Sequence, residues 1–201
     1  MKLTEKTRIF VDLDDVLVDF YGHCATQLFG IGVARLKEIV KAHGQWSITS
    51  ALGIEEQALW DKIKAYGPEF WVNIPELPWA SEVMNFLYRK VGRQNVYILT
   101  SHGGVFPTDV TWGKMRWLEK NTLNLLPKNF IVTSEKHLFA KEGCILLDDK
   151  GENVSTFTIA GGTGLTFPSP GNNVFETHLH QYDDSGVEMI MAWVSSLLGE
   201  E

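Results

Sequence analysis

The chain has only two cysteines, Cys24 and Cys144, with no metal-like spacing between them. Cys144 lies in an apolar run and reads as a small core residue rather than a reactive thiol. A basic surplus is also missing. The net charge of −7 argues against a broad surface for duplex nucleic acid. It leaves room for a small phosphorylated substrate, which needs only a local positive pocket. Residues 1–7 show no signal-like apolar region, and no stretch reaches membrane-spanning length. The expectation is therefore a reducing, cytoplasmic setting with no membrane partner. Repeats and low-complexity segments are absent too.

What is present suits a globular fold. An apolar fraction of 44% in 201 residues can build a real core, as one domain or a domain with a modest insertion. The most informative segment is Arg8-Ile9-Phe10-Val11-Asp12-Leu13-Asp14-Asp15-Val16-Leu17. Its apolar run predicts a buried strand over Ile9 to Leu13. Asp is a poor strand former and is costly to bury unpaired, so carboxylates here need a reason. In an extended segment Asp12 and Asp14 would project to the same side, into the crevice where α/β sheets bind ligands. Such a pair attracts a hard cation and can divide nucleophilic and acid/base roles. The rival account is an ordinary turn, where Asp is common.

Four further strands are predicted at Val96–Leu99, Phe130–Val132, Cys144–Leu147 and Gly164–Phe167, the last stopped by Pro168. Helical apolar spacing near 79–91, 109–124 and 151–160 alternates with them, and 187–198 reads as a closing helix. The fold class expected is α/β, a parallel sheet with helices on its faces. Ala160 to Gly164 reads as a helix C-cap leading into the last strand. The gap after the first strand breaks the rhythm. Helices are predicted near 20–29, 33–43 and 55–66, punctuated by Gly44, Gly53 and Gly67-Pro68. The division expected is a core of 1–19 and 77–201 with a helical cap inserted at 20–76. Among the cap aromatics, Trp46, Trp60 and Tyr66 could line a pocket, but Trp60 is expected to pack the cap's own core. Phe70 and Trp71, in the return segment, are the better pocket candidates.

The other strand ends carry matching chemistry. Thr100 and Ser101 follow the second strand, Lys136 the third, and Asp148-Asp149 end the fourth. In a parallel sheet these ends converge on one edge. The set offers carboxylates for Mg²⁺, a hydroxyl and an ammonium for phosphate oxygens, and a carboxylate placed to attack phosphorus. His178, His180, Asp183 and Asp184 read as an exposed loop rather than a second metal site.

This ordered set resembles the haloacid dehalogenase superfamily of phosphotransferases, whose core is a three-layer, Rossmann-like α/β/α sandwich. Within it, the chain looks like the 5′(3′)-deoxyribonucleotidase family. The supporting stretches are residues 11–20, 67–78, 98–101, 113–120 and 145–150. The resemblance implies a two-step transfer in which Asp12 attacks phosphorus to form an aspartyl-phosphate. Asp14 would protonate the leaving oxygen and then activate water. It further implies Mg²⁺ on Asp12, the main-chain carbonyl of Asp14 and the pair Asp148-Asp149, with Asp149 direct and Asp148 supporting. Phosphate would be bound by Thr100, Ser101 and Lys136; Lys114, beside the substrate, is second choice for the positive charge and Lys141 a third. Phe20, Phe70 and Trp71 would pack on the base or sugar of a nucleoside monophosphate. A long nucleic acid is not expected, and a homodimer is left open.

Two residues depart from that family. Asp15 stands where Gly is usual, although Asp tolerates unusual backbone angles better than most residues. Ser134 stands where some relatives carry a basic residue, which leaves substrate preference unassigned. The alternatives are a phosphatase of the same fold acting on a 3′-phosphorylated nucleic acid end or a small phosphometabolite, and a non-catalytic phosphate-binding protein.

Overall fold

A computed structural model of the chain describes residues 6–32, 34–36, 38–39, 48–103, 107–121, 123–169, 172 and 186–198. Five strands form one sheet: β1 (Arg8–Val11), β2 (Val96–Thr100), β3 (Phe130–Val132), β4 (Cys144–Asp148) and β5 (Thr163–Thr166). Their order is β3-β2-β1-β4-β5 and every pairing is parallel. β1 sits centrally, with Ile9 opposite Val96 on one side and Ile145 on the other. The chain runs outward from β1 through β2 to β3 and then returns to β4 on the opposite flank. That reversal opens the crevice between β1 and β4.

Successive side chains alternate between the two faces of the sheet. Ile9, Val11, Val96, Ile98, Ile145 and Leu147 belong to the larger apolar cluster, while Phe10, Leu99, Cys144 and Leu146 belong to the smaller. With both faces covered, the strands need no polar side, hence the near-continuous apolar runs. Helices on each face complete an α/β/α sandwich, each fully buried Leu, Ile or Phe contributing about 1.5–3 kcal/mol.

The chain leaves β1 through a tight turn in which the Leu13 carbonyl accepts from the amides of Leu17 and Val18 at 2.9 and 3.0 Å. It then runs antiparallel to its own return path: Asp19 N donates to Pro75 O, and Leu77 N to Leu17 O, both at 2.9 Å. Between these neighbouring connections the described residues include α1 (Phe20–His23, continued by a π turn at Cys24–Leu28), α2 (Ile48–Leu52), α3 (Glu56–Tyr66) and α4 (Glu69–Val72), besides the helical residues 34–36 and 38–39. Asp19 caps α1 through Gly22 N at 2.8 Å. Beyond the neck come α5 (Ala80–Val91), α6 (Pro107–Lys120), α7 (Gly151–Ile159) and α8 (Gly186–Leu198). α4 lies so close to α6 that a Cβ on Gly113 would stand 2.5 Å from Trp71 Cβ and 2.7 Å from Pro68 O.

The strands and the longer helices fall where the apolar spacing predicts them. α6 stops at Lys120, short of the expected 124, and the short helices α2 and α4 carry no periodicity long enough to read. β1 ends at Val11, not Leu13. Asp12 and Asp14 therefore stand on the turn rather than on one face of a continuing strand. Of the helix expected near 33–43, residues 34–36 and 38–39 are helical and the rest lies outside the described residues. Trp46, His178, His180, Asp183 and Asp184 also lie outside them.

Candidate active site

Asp12 follows β1 and its amide still donates to Leu147 O at 2.8 Å, so the ladder with β4 extends one residue past the strand. This backbone bond fixes the first carboxylate against the Asp148-Asp149 pair without help from any side chain. Lys136, on a 3₁₀ turn after β3, reaches the same place. Its Nζ lies 2.8 Å from Asp12 Oδ1 and 2.6 Å from Asp148 Oδ2, and the residue is only 3% exposed. Burial alone would lower its pKa, but the Asp12 and Asp148 carboxylates hold it above the ordinary lysine value. Two of its three ammonium protons are engaged, leaving one for a ligand oxygen. Lys141, by contrast, is exposed.

Lys114 is occupied differently. Its Nζ donates to Asp14 Oδ2 at 2.5 Å, Thr100 Oγ1 at 2.9 Å and Ser101 O at 2.8 Å. Those three bonds use every ammonium proton, and the Trp71 ring covers the head from 5.0 Å. Lys114 thus holds Asp14 and the end of β2 in place. Asp14 Oδ1 has no hydrogen-bond partner among the described residues.

Asp148 is wholly buried and saturated. Oδ1 accepts from Lys150 N at 2.9 Å and Asn153 Nδ2 at 3.0 Å, and Oδ2 takes Lys136. Among the described residues, the Asp149 side chain accepts a Ser169 hydroxyl at 3.3 Å on its Oδ2. Carboxylate oxygens of Asp12, Asp148 and Asp149 lie within 4.8 Å of one another. Burial first, then the neighbouring carboxylates Asp12 and Asp148, push Asp149 up to about 8. Burial, followed by Asp12, raises Asp148 as well. Burial is also the main cause of the raised Asp14, where Lys114 opposes it and Asp12 adds to it. Asp15 is raised further, by burial and then by Asp149. So many oxygen ligands held short of full ionisation fit a hard divalent cation, which would relieve their repulsion.

The sign of the pH effect follows. In metal-free protein a carboxylate with a raised folded pKa stabilises the fold at low pH, and that stability is lost as pH rises through the folded value. For Asp149 the window runs from its ordinary value of 3.8 up to about 8. We therefore expect the Tm in a chelator to fall as the pH is raised across that window. A divalent cation bound there should stabilise the fold by about 2.7 kcal/mol at a hundredfold excess over its Kd, raising the Tm and flattening the slope. Calorimetric scans at several pH values, with chelator and with Mg²⁺, measure both effects.

A cavity of about 610 Å³ opens above these groups. Asp12, Asp14, Phe20, Trp71, Ser101, Lys136 and Asp149 line it. Thr100, Phe70, Lys114 and Asp148 do not; all four are fully buried behind the wall. Phe70 in particular packs on His23, whose Nε2 pairs with the Phe70 carbonyl at 3.0 Å, and it stands edge-on to Trp71. Trp71 stacks on Phe20 with centroids 5.6 Å apart. Phe70 and Lys114, expected to meet the substrate, thus stand behind the wall and support it. Trp60 does both: it packs against the larger apolar cluster, as expected, and also lines the cavity with Leu59 and Glu56, where a Cβ on Gly103 would stand 3.1 Å from its ring.

Sequence reasoning did not single out Tyr21, Asn153, Ser169 and Asn172. Asn153 lies on the first turn of α7, four residues after Asp149, and that spacing could have flagged it. Asn172 comes from the loop after β5 and bonds Asp149 O at 2.9 Å, a contact with no local signal. Asp15 adopts φ +54, the left-handed conformation for which glycine is the usual choice.

The family model described as "5′ nucleotidase, deoxy (Pyrimidine), cytosolic type C protein" matches residues 6–194. A search of curated proteins finds no match. Among solved structures, the chain is similar to a dehalogenase with an intermediate complex, at 10% identity over 99% of this chain and 100% of that one, TM-score 0.55. It is similar to a haloacid dehalogenase-like protein of unknown function from Agrobacterium tumefaciens, at 12% identity over 95% and 98%, TM-score 0.53. A HAD family hydrolase from Deinococcus radiodurans, solved with phosphate and sodium, is similar at 14% identity over 82% of each chain, TM-score 0.50. At such identities these structures bear on the fold alone. Among the described residues no helix is long and apolar enough to cross a membrane.

Proposed function

The chain belongs to the 5′ nucleotidase, deoxy (Pyrimidine), cytosolic type C family of hydrolases with the haloacid dehalogenase fold, and from that premise we propose that it is a Mg²⁺-dependent phosphomonoesterase of nucleoside monophosphates. The observation that carries the reading is the row Asp12, Lys136 and Asp148 beneath an aromatic-walled cavity, with one Asp14 oxygen left unpartnered beside it.

In this reading the Asp12 carboxylate attacks phosphorus as the bond to the leaving nucleoside oxygen breaks. Asp14, held through Oδ2 by Lys114, gives its proton to that oxygen through Oδ1. In the second step Asp14 takes a proton from water, the resulting hydroxide attacks phosphorus, and the acyl-phosphate bond to Asp12 breaks. The remaining Lys136 proton and the Ser101 region hold the phosphate oxygens, and Thr100 acts behind them through Lys114. Asp12, Asp149 and the main-chain carbonyl of Asp14 would hold Mg²⁺, with Asp148 supporting; the ion supplies positive charge against the phosphate. We assign 20–76 as the cap and the cytoplasm as the setting, the latter supported by the family's description as cytosolic.

The same-fold alternative, a phosphatase of another substrate, is separated by one screen. With Mg²⁺ present, phosphate release is compared for deoxyribonucleoside monophosphates, 3′-phosphorylated oligonucleotides and sugar phosphates, as kcat/KM. Nucleoside monophosphates are expected to lead. Failure to release phosphate from any of them would sink the proposal.

A further inference from the structure

Tyr21 is 3% exposed and lines the cavity, yet its hydroxyl has no hydrogen-bond partner among the described residues. A buried hydroxyl left unpaired is destabilising, and phenylalanine would fill the same volume without that cost. Asp15 lines the cavity beside it. Asp15 accepts the Tyr21 main-chain N–H at 2.9 Å, which ties the turn after β1 to the first turn of α1. Its backbone sits at φ +54, a conformation glycine adopts freely and a side chain resists. Both residues thus line the cavity, joined through the Tyr21 main-chain N–H, and the Tyr21 O–H is left unpaired among the described residues. The unpaired hydroxyl is accounted for if a ligand group arrives there. Burial and the Asp15 carboxylate together hold the Tyr21 hydroxyl above its ordinary pKa, so it stays a neutral donor.

We infer that Tyr21 and Asp15 form a subsite for an alcohol hydroxyl on the leaving group of the substrate, Tyr21 donating to it and Asp15 accepting from it. A hydroxyl is the small group that satisfies both partners at once. A cation would pair with Asp15 but leave the tyrosine donor unmet, and a second phosphate would bring further acceptor oxygens against the carboxyl oxygens of Asp14, Asp15 and Asp149. The inference rests on the nucleotidase reading above, in which the hydroxyl belongs to the sugar.

The test compares kcat/KM for one base as the ribonucleoside, 2′-deoxyribonucleoside and 2′,3′-dideoxyribonucleoside 5′-monophosphate. Wild-type enzyme should disfavour the dideoxy substrate by at least about tenfold, as sites built to bond a hydroxyl do. Tyr21→Phe should bring that ratio to within about threefold of unity without lowering the Tm, since it removes an unpaired group. Asp15→Asn keeps an oxygen for the Tyr21 amide but replaces an acceptor with a donor, and should also shrink the ratio. That variant decides the matter if Tyr21→Phe folds poorly. Equal wild-type turnover of all three substrates, or variants that keep the wild-type ratio, would overturn the subsite and leave the nucleotidase reading standing. No turnover of any nucleoside monophosphate would overturn both.

Discussion

Replacing Asp12 with asparagine is expected to lower kcat by at least about 10⁴-fold while leaving the protein folded. Asparagine has nearly the same shape and keeps an oxygen for Lys136, so the packing around the 2.8 Å contact should survive. What it lacks is a charged nucleophile. Asp12 contributes to the raised pKa of both Asp148 and Asp149, so its neutralisation relieves them. The metal-free Tm should therefore stay level or rise, and the increase produced by Mg²⁺ should shrink. Acid-quenched enzyme should retain label from a phosphate-labelled substrate in the wild type and none in the variant. Activity within tenfold of wild type would refute the assignment of Asp12 as the attacking group.

Lys136→Ala should damage stability and activity together. The side chain is 3% exposed and neutralises two buried carboxylates, at 2.8 and 2.6 Å. Removing one partner of a buried ion pair costs about 3–5 kcal/mol, because the others are left without compensation. For a chain of this size that corresponds to a fall in Tm on the order of 10 °C. Loss of the remaining ammonium donor should also cost about 10²–10³ in kcat. Mg²⁺ should recover part of the lost Tm, since it supplies positive charge to the same carboxylates, but it should not restore turnover. Differential scanning calorimetry and steady-state kinetics on one preparation read both quantities. An unchanged Tm would mean that Lys136 does not hold the Asp12–Asp148 pair together.

Sheet and acids were readable from sequence because their signals are local. Buried parallel strands are apolar on both faces, and polar residues at their ends stand out against those runs. Nothing comparable exists for Lys114. It lies 14 residues from Thr100 and 100 from Asp14, and only the placement of α6 against the end of β2 turns a substrate-side lysine into a three-point brace. Phe70 and Trp71 are adjacent on a helix of four residues, too short for periodicity to tell which ring faces the cavity. His23 and its bond to the Phe70 carbonyl turn Phe70 away. Trp60 reads as core filling from the burial preference of its residue type, and it does pack on the apolar cluster; its place on the cavity wall beside Gly103 depends on the loop after β2. Asp15 was visible as a departure, and its left-handed backbone explains why glycine is usual there.

The main-chain bond from Asp12 to Leu147 has a consequence for how such a protein can change. It sets the spacing between the Asp12 carboxylate and the acidic pair by strand register, through main-chain atoms alone. Phe20, Tyr21, Glu56, Leu59, Trp60 and Trp71 all come from the segment between the two antiparallel connections at 17–19 and 75–77. That segment can accumulate substitutions that redraw the choice of substrate while the reacting distances stay where the sheet puts them. Asp15 apart, most of the groups that would choose the substrate thus lie on a stretch of chain separate from the strand ends that carry the acids.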